Sequence, residues 1–171
     1  NTGVAHIVKE MGGKNFKQYF TNLEFGTETG IDVPSETHGL IDNLDNPRDI
    51  ELATASYGQG IALTPIAAVR ALSALANGGE LVTPHIAKEI RLTDGTIREV
   101  SYPPNKRVFA ESTSEEISRM LTVVVDKALR GGTKKFEHYS VAAKTGTAQI
   151  AKTDGSRGYS DDKFLHSFFG Y

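Results

Sequence analysis

The sequence predicts an α+β fold with helices packed on an antiparallel sheet, and three observations carry that expectation. Apolar residues recur at helical spacing near the start, two stronger helices with readable ends occupy the middle, and two β-branched or aromatic stretches close the chain. Helices followed by a late strand pair favour antiparallel pairing over the alternating order of a parallel sheet.

Val4, Ile7, Val8 and Met11 trace the first helical face, and Gly12-Gly13 stops it. Phe16, Tyr19, Phe20 and Leu23 repeat the spacing before Gly26. Gly26 to Asn46 is rich in Gly, Asp, Asn, Thr and Pro without a sustained period, and reads as a long ordered loop. Thr64-Pro65 is a helix start, with an N-cap hydroxyl and then a proline whose missing N–H costs nothing there. That helix runs through Ile66, Val69, Leu72 and Leu75 to a left-handed stop at Asn77-Gly78-Gly79. Ile86 to Leu92 and Thr96 to Val100 flank Thr93-Asp94-Gly95 and predict a hairpin.

Ser112-Thr113-Ser114-Glu115-Glu116 offers two overlapping capping boxes for the next helix. Its expected apolar face is Ile117, Met120, Leu121, Val124, Ala128 and Leu129, with Gly131-Gly132 as its end. Val141 to Ile150 and Leu165 to Tyr171 are expected to pair antiparallel across the polar stretch Lys152 to Lys163.

With 39% hydrophobic residues, 19 basic and 21 acidic side chains and a formal net charge of -2, the 171 residues suit one globular core. There is no basic field to attract nucleic acid, so no nucleic-acid partner is expected. Zero cysteines exclude thiolate nucleophiles and thiolate metal sites within the chain. His6, His38, His85, His138 and His166 lack metal-ligand spacing and read as surface or packing histidines, so neither metal nor cofactor is expected. Asp42, Asp45, Asp49 and Glu51 lack a calcium-loop pattern and read as a solvated face. The chain begins at Asn1 and stops at Tyr171 inside the apolar run His166 to Tyr171, and both ends read as cut.

Ala142-Ala143-Lys144-Thr145-Gly146-Thr147-Ala148-Gln149 combines a cation, two hydroxyls and a glycine with small neighbours. In an extended chain Thr145 and Thr147 share one face, and Lys144 and Gly146 the other. A strand glycine often marks close approach of a ligand or another backbone, and the donors suit an anion. An edge strand protected by a lysine accounts for the tripeptide equally well, so its context has to decide.

Four other stretches supply that context. Asn1-Thr2-Gly3 heads a helix; Gly30-Ile31-Asp32-Val33-Pro34-Ser35-Glu36 forms a loop; Tyr57-Gly58-Gln59-Gly60 leads to Leu63-Thr64-Pro65; and Gly158-Tyr159-Ser160 precedes Ser167-Phe168-Phe169-Gly170-Tyr171. In this order they resemble the transpeptidase domain of penicillin-binding proteins, whose motif set is Ser-x-x-Lys, Ser-x-Asn and Lys-Thr-Gly. The resemblance covers nearly the whole chain. It implies that residues 1–171 are the C-terminal part of such a domain, with a partial penicillin-binding or serine β-lactamase-like fold. The final strand and Tyr139-Ser140-Val141-Ala142-Ala143-Lys144 are most similar to class B enzymes of the cell-division branch.

The resemblance implies a serine D,D-transpeptidase that cross-links peptidoglycan from D-alanyl-D-alanine stem peptides and is acylated by β-lactams. Lys144 would supply positive potential, while Thr145 and Thr147 would contact the substrate carboxylate. The Thr147 N–H would donate to the oxyanion, Gly146 would let the ligand come close, and Asn1 would bond the acyl-side amide. Stem peptides, β-lactams and a division-machinery glycosyltransferase would be the partners. An N-terminal helix outside this chain would anchor the protein at the extracytoplasmic face of the cytoplasmic membrane.

Ser160-Asp161-Asp162-Lys163 is the one literal Ser-x-x-Lys present. It follows the Lys-Thr-Gly stretch, is expected in a polar loop, and sets two carboxylates beside the lysine, which oppose work as a base. The nucleophile and its base are therefore expected outside this chain, and the fragment alone is expected to be inactive. A serine β-lactamase or D,D-carboxypeptidase relative, or a non-catalytic penicillin-recognising sensor, are the competing readings.

Overall fold

The computed structural model describes residues 1–133, 136–153, 155–156 and 158–171, in two compact units, Asn1–Glu111 and Ser112–Tyr171. The expected connection over Lys152 to Lys163 includes Asp154 and Arg157, which lie outside the described residues. The α+β expectation holds, and every strand pair is antiparallel. The single sheet does not: among the described residues the strands form three separate two-stranded sheets. No helix is long and apolar enough to cross a membrane, again among the described residues.

The first unit opens with α1 (Thr2–Met11) and α2 (Gly13–Asn22), joined where Gly12 takes φ 85°. Gly26 to Asn46 is irregular as expected, apart from a 3-10 turn at Asp42–Leu44 and a bridge between Leu40 and Ala62. A helix the sequence reading missed, α3 (Asp49–Ala55), follows and packs against α1. Two of the acidic residues read as a solvated face sit in its first turn, where the helix dipole favours them. The Glu51 carboxylate accepts from the Arg48 backbone N–H at 2.8 Å and from its guanidinium at 2.6 Å. Asp45 pairs with Lys17 at 2.6 Å.

Helix α4 (Pro65–Ala76) starts where expected, with Thr64 Oγ1 accepting from the Ala67 N–H at 3.3 Å. Its buried face is Ala67, Arg70, Ala71 and Ala74, whereas Val69 is exposed. The helix packs on β1 (Glu80–Leu81), with Ala67, Ala71 and Ala74 buried and Ile66, Leu72 and Leu75 of the expected face only partly so. The hairpin is β2 (Glu89–Arg91) and β3 (Ile97–Glu99), and β4 (Lys106–Arg107) pairs with β1.

The Gly30 to Glu36 loop is held by its two carboxylates. Glu36 accepts from the Thr29 N–H at 2.7 Å, the Thr29 hydroxyl at 2.6 Å and the Gly30 N–H at 3.0 Å. Asp32 accepts from the Ile86 and Ala87 N–H groups at 2.8 and 2.7 Å and lies 2.7 Å from the Tyr102 hydroxyl, which His85 stacks against. The Tyr102 and Ala87 hydrogen bonds hold the Asp32 carboxyl at about 2 against an ordinary 3.8. The Asp32 carboxylate in turn pushes the Tyr102 hydroxyl up to about 12.

Because folding lowers the Asp32 pKa, its stabilisation is complete above 3.8 and is lost as pH falls toward 2. Asp32→Asn is therefore expected to lower the urea midpoint at neutral pH and to shrink its acid-side fall between about pH 4 and pH 2. Equal falls in the two proteins would show that this loop is not held by the Asp32 charge.

The second unit contains α5 (Glu111–Val123, its first residue shared with the end of the first unit), β5 (Ala143–Ala151) and β6 (Tyr159–Gly170). The α5 start differs from the capping-box expectation, since Ser112 and Thr113 already lie inside the first turn. Its regular part also ends early: Val124–Ala128 is a π turn, and Arg130 and Gly131 are left-handed before Gly132. Ser114 and Val125 are buried while Met120 and Ala128 are exposed, and the wider π turn shifts the facing from Val124 onward. The π turn packs on β5 beside buried Ala142 and Ala143, and the Ser118 and Tyr171 hydroxyls lie 2.9 Å apart.

Candidate active site

Lys144, Thr145, Gly146 and Thr147 occupy consecutive positions on β5, just past its buried end. Ala142 and Tyr171 exchange both backbone hydrogen bonds at 2.9 Å. Such bonded pairs alternate along an antiparallel ladder. With Lys144 opposite Phe169 and Gly146 opposite Ser167, residues 142, 144, 146 and 148 bond inward to β6. The N–H and C=O groups of Thr145 and Thr147 therefore point the other way. Among the described residues β5 has no partner on that side. An extended ligand could join this edge as an added strand.

Lys144 folds over the same edge, its ammonium donating to the Thr145 carbonyl at 2.8 Å. No carboxylate pairs with it among the described residues. It is thus an uncompensated positive charge beside two exposed hydroxyls. At Gly146 a β-carbon would lie 2.5 Å from Ser167 Oγ, so any larger residue there would force the cross-strand serine to another rotamer.

Thr147 faces His166 in a non-hydrogen-bonded pair, where cross-strand side chains come closest, and Oγ1 lies 3.3 Å from Nδ1. The sequence alone marks His166 as a surface or packing histidine. Only the register could have singled it out, because nothing in its sequence spacing ties it to Thr147.

Asn1 belongs to the first unit and takes the N-cap position of α1 without a side-chain capping bond. Ser160-Asp161-Asp162-Lys163 lies in β6, not in the expected loop. Ser160 Oγ donates to Asp162 Oδ1 at 2.6 Å. The β5–β6 register shifts across this stretch, with Gln149 opposite Phe164 and Ala151 opposite Tyr159, and the Ser160 hydroxyl proton is directed at Asp162.

The family model described as the penicillin binding protein transpeptidase domain matches residues 1–171. The chain belongs to that family. This transpeptidase-family chain is 38% identical over 173 residues to stage V sporulation protein D of Bacillus subtilis (strain 168), covering 100% of this chain and 26% of the relative. It is 30% identical to the probable peptidoglycan D,D-transpeptidase PenA of Neisseria meningitidis serogroup A (strain Z2491), covering 100% of this chain and 27% of the relative. Penicillin-binding protein 3 of Mycobacterium tuberculosis, in a crystal structure with ampicillin, superposes with TM-score 0.88 at 29% identity, over 97% of this chain and 38% of that one. The chain spans about a quarter of the length of the curated relatives it matches.

Proposed function

We propose that the protein carrying this chain is a serine-type peptidoglycan D,D-transpeptidase that β-lactams acylate, and that β5 is its substrate-binding wall. The observation that carries this reading is the uncompensated Lys144 ammonium beside the outward backbone groups of Thr145 and Thr147 on an open strand edge. The acyl chain of a stem peptide extends along that edge, and its terminal carboxylate meets the Thr145 and Thr147 hydroxyls and the Lys144 charge. The Thr147 N–H, already aimed outward, is one donor to the oxyanion, and the nucleophilic serine's own N–H is the other. Asn1 bonds the acyl-side amide. The serine and its lysine come from another part of the longer protein, which makes residues 1–171 one C-terminal portion of the catalytic domain.

The ampicillin complex of the M. tuberculosis protein supports β-lactams as ligands. The class B pattern around Lys144 supports a division-type enzyme, working with a glycosyltransferase and held by an N-terminal helix at the extracytoplasmic face of the cytoplasmic membrane. The full-length protein is expected to take up one fluorescent penicillin on a serine outside residues 1–171, and this chain alone none. Peptide mapping by mass spectrometry checks this, and acylation of Ser160 overturns it.

A further inference from the structure

The Thr147 and His166 pair lies on the wall just described, yet no part of that reading uses the imidazole. A hydroxyl has one proton. If Thr147 donates it to His166, its oxygen meets a ligand carboxylate lone pair to lone pair, which repels. If the imidazole N–H donates to Thr147 Oγ1, the threonine proton is left for the carboxylate. The 3.3 Å separation of Oγ1 and Nδ1 permits either direction, so the state of the ring decides which way the threonine points.

We propose that His166 is a positioning residue that turns the Thr147 hydroxyl toward the substrate carboxylate, and so sets preference for an anionic substrate end. The inference rests on β5 being the carboxylate-binding wall.

Little else near the ring competes for this role. On the same face of β6, Phe164 and Phe168 flank it, and Asp162, within the irregular stretch of β6, accepts from the Ser160 hydroxyl. On β5 the same face carries Thr145 and Gln149, with no charge. Lys144 belongs to the opposite face and reaches the Thr145 carbonyl. The π turn packed on β5 carries Asp126 and Lys127, and α5 adds the Glu116 and Arg119 pair beyond it; none of these forms an ion pair with His166 among the described residues.

The test compares the full-length protein acylated by benzylpenicillin and by benzylpenicillin methyl ester, which lacks the anion. The ratio of the two rate constants from one preparation is independent of the active fraction and cancels ionisations common to both reactions. The acid-over-ester ratio is expected to be about fivefold higher in wild type than in a protein whose residue 166 cannot donate, the scale of one hydrogen bond to a charged group.

His166→Phe keeps the ring but cannot bond, and should give the low ratio. His166→Asn places an amide N–H where Nδ1 lies and should restore the high ratio. Thr147→Ala should lower the ratio to the His166→Phe value or below whatever occupies position 166, Lys144 and Thr145 keeping the remainder. A His166→Phe protein with the wild-type ratio overturns the proposal while leaving β5 as the carboxylate wall. A Thr147→Ala protein that keeps the full wild-type ratio overturns this inference, and a wild-type protein that is not acylated overturns the β5 reading and this inference with it.

Discussion

Lys144→Ala in the full-length protein is expected to slow acylation by benzylpenicillin by a factor on the order of a hundred to a thousand. Among the described residues Lys144 has no carboxylate partner, so its charge is spent on whatever occupies the β5 edge. At about 4 Å and an effective dielectric of about 20, one charge on another is worth about 4 kcal/mol, and exposure reduces that. Lys144→Arg keeps the charge on a broader head and should retain roughly a tenth of the wild-type rate. Raising the salt concentration should erode the advantage of wild type over the alanine variant. The measurement is stopped-flow acylation at two ionic strengths. A loss below about threefold would remove Lys144 from the binding wall and return β5 to an edge strand guarded by a lysine.

Arg70→Met is expected to destabilise the first unit by about 2 kcal/mol, and Arg70→Ala by about 3 kcal/mol. Arg70 is 8% exposed, and its guanidinium ties α4 to the chain just past β1 and just past α2. Nε donates to the Val82 carbonyl at 2.7 Å, and the other end pairs with Glu24 Oε2 at 2.9 Å. Lys106 holds the second Glu24 oxygen at 2.9 Å. Burial pushes the Glu24 carboxyl up, but hydrogen bonds from Lys106 and Arg70 outweigh it and hold it below the ordinary range.

Truncating the arginine strands a carbonyl and half of a carboxylate. Lys106 still neutralises Glu24, which keeps the cost below that of a fully buried broken pair. Methionine retains the packing of the stem, so the difference between the two variants measures that packing. Lysine reaches one partner but not both, and should fall between methionine and wild type. Urea midpoints check the series. Equal midpoints for wild type and Arg70→Met would show that the cluster contributes nothing net.

Much of the fold was legible because its signals are local. Thr64-Pro65 opens α4, Gly12 closes α1 and Thr93-Asp94-Gly95 turns the hairpin, each through bonds spanning a few residues. The missed α3 had a quieter signal, acidic residues in a first turn after a proline, in a stretch too short for a helical period to show. The faces of α4 and α5 were misread for a different reason. Apolar spacing shows that a helix has a side to bury, but the buried residues of α4 are alanines and Arg70, and a π turn breaks the period at the end of α5.

The candidate site divides in the same way. By itself the sequence determined Lys144-Thr145-Gly146-Thr147 as a strand segment with the chemistry for an anion, and placed it in the transpeptidase family through the order of its motifs. The pairing of distant strands adds that Thr145 and Thr147 turn their backbones outward and that His166 stands against Thr147. Both facts depend on strand register. Register is a pairing between residues far apart in the chain, and a shift of one position would move every side chain to the other face.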